Sequence, residues 1–146
     1  MIMIQQQKHT VYFSLGANIG DREATILRAI EQMEKQIGTV VRRSAFYETE
    51  PWGFESSNRF INAAVCCTTS LSPRGVLEAT QRIERDLGRM SKSANGQYHD
   101  RVIDIDILLY DDIRVDEPDL KIPHPLMYER EFVMVPLKEI MYSEAE

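Results

Sequence analysis

Apolar residues near the start of the chain follow two different periods. The run VYFSLGAN alternates Val11, Phe13 and Leu15 with more polar residues, a period of two that predicts a strand ending in a Gly/Asn turn. After Asp21 the apolar positions recur at helical spacing until Gly38, a residue placed to end a helix. These apolar positions are Ile26, Leu27, Ile30, Met33 and Ile37. The chain therefore begins with a strand and a helix.

The pattern then predicts two strands, a second helix and a fourth strand. Runs rich in β-branched and aromatic residues cover 39–47 and 60–69, and the turn-forming stretch ETEPWGFESSN separates them. Ser72 and Pro73 begin a helix that Gly88 ends, and VIDIDILLY is a further strand. The order β-α-β-β-α-β predicts an α+β, ferredoxin-like core in which helices pack against a mostly antiparallel sheet.

A C-terminal extension follows this core. After Ile113 the sequence predicts a short extended piece, the prolines of KIPHPL and a terminal helix with Val133, Leu137 and Ile140 on its apolar face. A chain of 146 residues without internal repeats or a long linker suits a single domain, 1–146, and we expect a monomer.

Composition narrows the functional classes. The 17 basic and 23 acidic residues give a formal charge of -6, which argues against a nucleic-acid partner held by bulk electrostatics. Cys66 and Cys67 adjoin each other in an apolar run, so we expect small buried side chains rather than ligands or a disulfide. The sequence has neither a leader pattern nor an apolar run of about 18 residues, so we expect a cytoplasmic protein without a membrane partner.

Two carboxylates are the main candidates for chemistry. Asp104 and Asp106 are two residues apart in a strand, so they point to one face while the flanking isoleucines point to the other. Two like charges that close on an apolar strand favour a bound cation, and carboxylates without histidine or cysteine partners suit magnesium. The alternative is the solvated outer face of an edge strand.

Basic and aromatic residues surround this pair in the sequence. Arg89, Lys92 and Arg101 belong to the polar segment that precedes the strand, where they can bind a triphosphate or simply form a solvated linker. His124, between two prolines, is either a phosphate or ribose donor or a structural residue. A further set either reads a flat heterocycle or belongs to the core: Phe60, Asn62 and Phe132.

Five segments taken together resemble one enzyme family. They are SLGANIGD, RFINAAV, QRIERDLGR, DRVIDIDILLY and IPHPLMYEREFVMVPL. In this order they are similar to 6-hydroxymethyl-7,8-dihydropterin pyrophosphokinases over nearly the whole chain. The resemblance implies transfer of pyrophosphate from ATP to the hydroxymethyl group of the pterin, with AMP as the second product, in folate biosynthesis.

The resemblance also assigns site residues. It implies that Asp104 and Asp106 hold two magnesium ions and that Arg89 and Arg101 assist transfer on mobile loops. The ATP site would comprise Gln81, Glu84, Lys92, Ile107, His124 and Arg130. The pterin would stack between the rings of Phe60 and Phe132, and the other residues of its site would be Thr49, Glu50, Trp52 and Asn62.

The chain departs from the family pattern at three places. Tyr98, His99 and Asp100 stand where tryptophan, glycine and proline are common, in a loop that is about two residues longer. Pro125 replaces a frequent tyrosine, and Glu50 replaces a proline after Thr49.

Two other functions agree with the order of elements and the paired aspartates when the family resemblance is set aside. A nucleotidyltransferase also uses paired aspartates on a strand but releases pyrophosphate instead of AMP. A ferredoxin-like ligand-sensing or RNA-binding module would show no metal-dependent turnover, and the acidic balance disfavours RNA.

Overall fold

The computed structural model describes residues 8–50, 59–88 and 102–142. The strands are β1 (His9–Ala17), β2 (Thr39–Arg43), β3 (Tyr47–Thr49), β4 (Phe60–Thr69), β5 (Asp104–Tyr110), β6 (Val115–Glu117) and β7 (Leu120–Ile122). The helices are α1 (Arg22–Gln36), α2 (Pro73–Asp86) and α3 (Glu131–Tyr142), with a short 3₁₀ helix at Met127–Glu129 before α3. The predicted α+β class with a mostly antiparallel sheet is confirmed.

The main sheet is antiparallel and has the order β2-β4-β1-β5, with β3 paired to β4. The predicted strand 39–47 is in fact two strands, because residues 44–46 leave the ladder. Here the Ser44 hydroxyl accepts a hydrogen bond from Ala64 N at 2.9 Å, so a side chain takes the place of a backbone partner. The register of β2 against β4 also shifts between Val40 and Arg42. A register irregularity and a polar side chain therefore interrupt the strand pairing at this edge.

Two apolar clusters lie on opposite sides of the main sheet. The larger cluster packs α1 and α2 against one face, called here the helix-covered face, which carries Val11, Phe13 and Leu15 of β1. The smaller cluster packs α3 against part of the other face, where Ala64 and Leu108 are buried. The predicted apolar residues of α3 are confirmed as core. Leu27 is 45% exposed, so its assignment to the apolar face of α1 is wrong.

Polar side chains cap α1 and α2, and α2 begins and ends where Ser72 and Gly88 predict. The Asp21 carboxylate accepts from Ala24 N at 3.2 Å at the start of α1. The Ser72 hydroxyl accepts from Gly75 N at 3.1 Å at the start of α2. Gly88, two residues beyond the end of α2, has a φ of 110°, a conformation that favours glycine.

The cysteines are confirmed as free, buried side chains. Cys66 belongs to the cluster under α3 and Cys67 to the cluster under α1 and α2, so the two thiols lie on opposite faces of β4. Burial raises the pKa of Cys67 to about 12, which keeps its thiol protonated and unreactive at neutral pH.

The β6–β7 hairpin replaces the single extended piece expected after Ile113. Arg74 of α2 forms ion pairs with Glu117 and Asp119, and the hydrogen bond to Asp119 is 2.7 Å long. These contacts attach the hairpin to the start of α2.

Gly38 is required by space rather than by an unusual backbone angle. A Cβ at this position would lie 2.0 Å from the carbonyl oxygen of Thr68, and backbone atoms cannot move aside independently. We therefore expect Gly38→Ala to destabilise the protein by about 1–3 kcal/mol or more. Thermal unfolding checks this against Gly75→Ala, whose Cβ would meet its nearest neighbours at 3.4 Å. Equal melting temperatures for the two variants would contradict the packing argument.

Asp111 makes the free energy of unfolding depend on pH. Burial tends to raise the pKa of Asp111, but hydrogen bonds from Thr10 N at 2.8 Å and His9 at 2.7 Å outweigh it and lower that pKa. Stability from a lowered carboxyl pKa is present above the unfolded-state value and is lost as pH falls through the folded-state value. We expect Asp111→Asn to lower the melting temperature at pH 6 and to have a smaller effect near pH 3. Asp112→Asn serves as the control. A melting-temperature difference between Asp111→Asn and wild type that grows as pH falls would contradict the assignment.

Candidate active site

Asp104 and Asp106 lie together on one side of β5, as predicted. Both are half-buried, and they lie opposite the buried Ile103, Ile105 and Ile107. Their Cα atoms are about 7 Å apart by strand geometry. They occupy the side of the sheet away from α1 and α2, called here the carboxylate face.

Pairing with β1 fixes what lies beside each carboxylate. Asp104 is opposite Gly16 and Asp106 is opposite Ser14 on the antiparallel ladder. On its other side, Gly16 is paired with Asn62 of β4. Asn62, Gly16 and Asp104 therefore form one row across three strands, with the two outer Cα atoms about 10 Å apart at ordinary strand spacing.

Gly16 forms the floor between the amide and the carboxylate. A Cβ at Gly16 would lie 3.3 Å from Oδ1 of Asn62 and 3.5 Å from the ring of Phe60. Both groups therefore reach over the glycine from β4. Gly16 belongs to the segment SLGANIGD, and a glycine inside an apolar strand is a sequence sign of close approach by another group.

The amide of Asn62 is held by β3. Its Nδ2 donates to Oγ1 of Thr49 at 2.6 Å and to the carbonyl oxygen of Tyr47 at 3.4 Å. Asn62 is 2% exposed, so these contacts fix the amide plane. Phe60, paired with Thr49 on the ladder, is half-buried beside them. The structure thus brings together three of the predicted pterin-binding residues.

Phe132 and Arg130 lie at the start of α3. The Arg130 guanidinium carbon is 5.7 Å from the centre of the Phe132 ring, within cation–π range. Arg130 is 7% exposed, whereas Phe132 is half-buried at the margin of the smaller apolar cluster. The carbonyl oxygen of Arg130 accepts from Val133 N at 3.0 Å and Met134 N at 2.9 Å, so the first turn of the helix fixes its backbone.

His124 is attached to β5 just beyond the carboxylates. Its backbone N donates to the carbonyl oxygen of Leu108 at 3.0 Å, and its Nδ1 accepts from Leu126 N at 3.3 Å. With Nδ1 as acceptor, the neutral ring carries its proton on Nε2 and can donate from that atom. The predicted role of His124 as a phosphate or ribose donor requires such an Nε2–H group and stays a prediction.

Glu84 and Ile107, both predicted to contact ATP, lie in the interior. Glu84 is 3% exposed and its Oε2 accepts from Ile105 N at 2.7 Å, the amide between the two aspartates. Ile107 is 6% exposed within the helix-covered cluster. The structure thus brings neither side chain to the carboxylate face, and their contact with ATP stays a prediction. The visible role of Glu84 is to hold the backbone of β5.

The other predicted residues divide into two groups. Gln81 is half-buried on α2, and Glu50 is exposed with its carboxylate 2.9 Å from Nε of Arg59. The remaining four lie outside the described residues: Trp52, Arg89, Lys92 and Arg101.

The donors on β5 fit magnesium bound together with a substrate. Within 8–50, 59–88 and 102–142, no group of three or more His, Cys, Asp or Glu side chains could hold a metal ion. Asp104 and Asp106 alone offer hard oxygen donors but not a complete cage. Magnesium typically uses one or two carboxylates and completes its coordination with water and substrate phosphates.

Comparison with known proteins shows the family to which the chain belongs. The family model of 7,8-dihydro-6-hydroxymethylpterin-pyrophosphokinase matches residues 12–142. A 2-amino-4-hydroxy-6-hydroxymethyldihydropteridine pyrophosphokinase of Porphyromonas gingivalis is 50% identical over 131 residues, which are 89% of this chain and 89% of the relative. The enzyme of that name from Bacillus subtilis is 44% identical over 130 residues, 88% of this chain and 76% of the relative.

A solved structure shows the same fold within a longer protein. The structure of an HPPK-DHPS in complex with substrates has a TM-score of 0.74 and 16% sequence identity. The match covers 92% of this chain but 40% of that one. Since the family model and both relatives span most of the sequence, the chain belongs to the 7,8-dihydro-6-hydroxymethylpterin-pyrophosphokinase family.

Proposed function

We propose that this chain transfers pyrophosphate from ATP to 6-hydroxymethyl-7,8-dihydropterin over Gly16, between Asn62 and the Asp104–Asp106 pair. The observation that carries the proposal is the row Asn62–Gly16–Asp104. It offers an amide at one end, a carboxylate at the other and no side chain between them. Two substrates that bind at opposite ends of the row would meet above the glycine.

Asp104 and Asp106 would hold magnesium with the ATP phosphates, and the family resemblance suggests two ions. When bound, magnesium would offset the negative charge of the triphosphate and orient its oxygens. The chain supports the carboxylates from both sides, because β1 pairs with Asp104 and Asp106 and Glu84 holds Ile105 N between them. This support keeps the two side chains at a constant separation.

The nucleotide would lie on the side of His124 and Arg130. His124 would donate from Nε2, and the guanidinium of Arg130 would supply positive charge at the start of α3. Arg89, Lys92 and Arg101 would contribute further cations from the segment before β5. Forked guanidinium contacts suit phosphate oxygens, whereas lysine acts as a point charge.

The pterin would lie between Phe60 and Phe132 with its edge at Asn62. The donors of this amide are engaged by Thr49 and Tyr47, so Oδ1, which reaches over Gly16, would accept from an N–H of the heterocycle. The aromatic rings would supply flat apolar contact. Contacts from Thr49, Glu50 and Trp52 would complete this end of the site.

The reaction itself requires alignment above all. The hydroxymethyl oxygen forms a bond to the β-phosphorus of ATP while the bond from that phosphorus to the bridging oxygen of AMP breaks. AMP leaves, and the hydroxyl proton leaves the nucleophile. We assign no side chain as the general base. The row of residues would accelerate transfer mainly by holding both substrates in line.

We further propose the ferredoxin-like topology, a monomeric state and a cytoplasmic location. The strand order β2-β4-β1-β5, with α1 and α2 against one face, supports the topology. Among the described helices, none is long and apolar enough to cross a membrane.

A product assay tests the function directly. Purified protein incubated with ATP, magnesium and 6-hydroxymethyl-7,8-dihydropterin should release AMP and form the pterin pyrophosphate. Release of pyrophosphate would instead indicate a nucleotidyltransferase, and absence of turnover would indicate a non-catalytic binding protein.

Asp104→Asn and Asp106→Asn should each lower turnover by roughly a hundredfold or more, the scale expected when a group that stabilises transition-state charge is removed. Both side chains lie outside the apolar clusters, so the melting temperature should change little. Turnover across a magnesium titration and thermal unfolding measure the two effects. The matched control is Asp112→Asn, an exposed aspartate just beyond β5, and wild-type turnover in either active-site variant would refute the metal-binding assignment.

Gly16→Ala should weaken pterin binding more than ATP binding. The added Cβ would lie 3.3 Å from Oδ1 of Asn62 and would displace the amide by a few tenths of an ångström. We expect a loss of about five- to fiftyfold in pterin affinity, the scale of one impaired buried hydrogen bond. Calorimetric titration with a pterin analogue and an ATP analogue compares the two ligands, with Gly75→Ala as control. Unchanged pterin affinity would remove Gly16 from the binding floor.

A further inference from the structure

Glu139 of α3 is hydrogen-bonded to β3 and to Ala45, which precedes that strand in the chain. Its two carboxylate oxygens accept from Ala45 N at 3.2 and 3.0 Å. Oε1 also accepts from the hydroxyl of Tyr47 at 2.5 Å. These hydrogen bonds join residues more than 90 positions apart in the chain, so they determine tertiary rather than local structure.

The contact lies where the sheet is interrupted. Residues 44–46 separate β2 from β3, and Ala45 is outside both ladders. A backbone N–H at such a break needs a partner from elsewhere, and Glu139 supplies it. The carboxylate also raises the pKa of Tyr47 through their hydrogen bond, so the phenol stays protonated as a donor at neutral pH.

Glu139 lies on the same side of α3 as Phe132. Seven residues separate them, which is close to two helical turns and about 10 Å along the axis. A hydrogen-bonded attachment at Glu139 therefore limits both rotation and sliding of the helix face that presents the Phe132 ring.

β3, which is hydrogen-bonded to Glu139, also accepts hydrogen bonds from the Asn62 amide of β4. The Tyr47 hydroxyl donates to Glu139, while the Tyr47 carbonyl oxygen accepts from Asn62 Nδ2 at 3.4 Å. Two residues further on, Oγ1 of Thr49 accepts from the same amide at 2.6 Å. One short strand thus contacts α3 at one side and the Asn62 amide at the other.

We propose that Glu139 is a positioning residue for the pterin, which fixes α3 against β3 and so sets the distance between Phe132 and the Asn62 amide. This inference rests on the proposed pterin site. Glu139 does not touch the substrate; it acts through Phe132 on its own helix and through Tyr47 on the facing strand.

The first test compares ligand affinities for Glu139→Ala, Glu139→Gln and Tyr47→Phe, with Lys138→Ala as the matched control on the same helix. Calorimetry with a pterin analogue and an ATP analogue is combined with melting curves. Glu139→Ala should weaken pterin binding about five- to twentyfold and change ATP binding less than about twofold. Glu139→Gln should stay within about threefold of wild type, because its amide oxygen still accepts from Ala45 N and Tyr47.

Tyr47→Phe removes one of these hydrogen bonds without removing the carboxylate. It should give a smaller, pterin-selective loss and a folded protein, which keeps the test decisive if Glu139→Ala unfolds. Equal losses for both ligands in Glu139→Ala and Tyr47→Phe, or no loss in either, would overturn the positioning role.

A double-mutant cycle separates the inference from the site on which it rests. If Glu139 acts through Phe132, Glu139→Ala should add less than about twofold to the pterin loss in a Phe132→Ala background. A loss of pterin affinity in the double variant equal to the sum of the two single losses, in free energy, would overturn the inference. Normal pterin binding by a folded Phe132→Ala protein would refute the proposed pterin site itself. A loss in Phe132→Ala with none in Glu139→Ala would leave the site standing and remove Glu139 from it.

Discussion

The register of β1 against its two neighbours determines which side chains share the carboxylate face. β1 pairs with β4 from His9 to Ala17 and with β5 from Val11 to Gly16. A shift of one residue on either side would turn Asn62 or the aspartates towards α1 and α2, because successive side chains alternate between faces. Such a shift would bury carboxylates in the larger apolar cluster, at a high desolvation cost. The core therefore enforces the alignment of the active site.

A bulge allows β5 to serve both the carboxylate site and the smaller core. Its register with β1 shifts between Tyr12 and Phe13, which leaves Leu108 as the extra residue. Leu108 packs under α3 on the same face as Asp106, while Tyr110 returns to the helix-covered cluster. One half of this face is thus covered by α3 and the other half carries polar groups. The same helix closes an apolar core and carries Phe132, the proposed stacking residue, at the margin of that core.

Sequence periodicity predicted the elements and the faces of the strands well, for a physical reason. Alternation along a strand reports burial directly, and it predicts that Asp104 and Asp106 lie on one side of β5 without any knowledge of tertiary contacts. Alternation does not report which side chain binds the outer edge of a strand, so it does not predict that the buried carboxylate of Glu84 accepts from Ile105 N. Nor did it show the break at 44–46, which depends on the Ser44 hydroxyl and on Glu139 from the distant α3. Residue similarity supplied the pterin and the reaction, which periodicity alone left open.

The carboxylates lie at the edge of the described sheet, a position that suits the proposed binding of a triphosphate. Among the residues that the structure describes, β5 has a hydrogen-bonded strand on one side only, so the two aspartates lie next to an edge of the sheet. An open edge also presents backbone groups that could pair with another chain. Here Glu84 accepts from Ile105 N and His124 N donates to the carbonyl oxygen of Leu108, so two of these groups are already satisfied. These two hydrogen bonds therefore fix the backbone of β5 beside Asp104 and Asp106, which is what the proposed binding of a metal and a nucleotide at this edge requires.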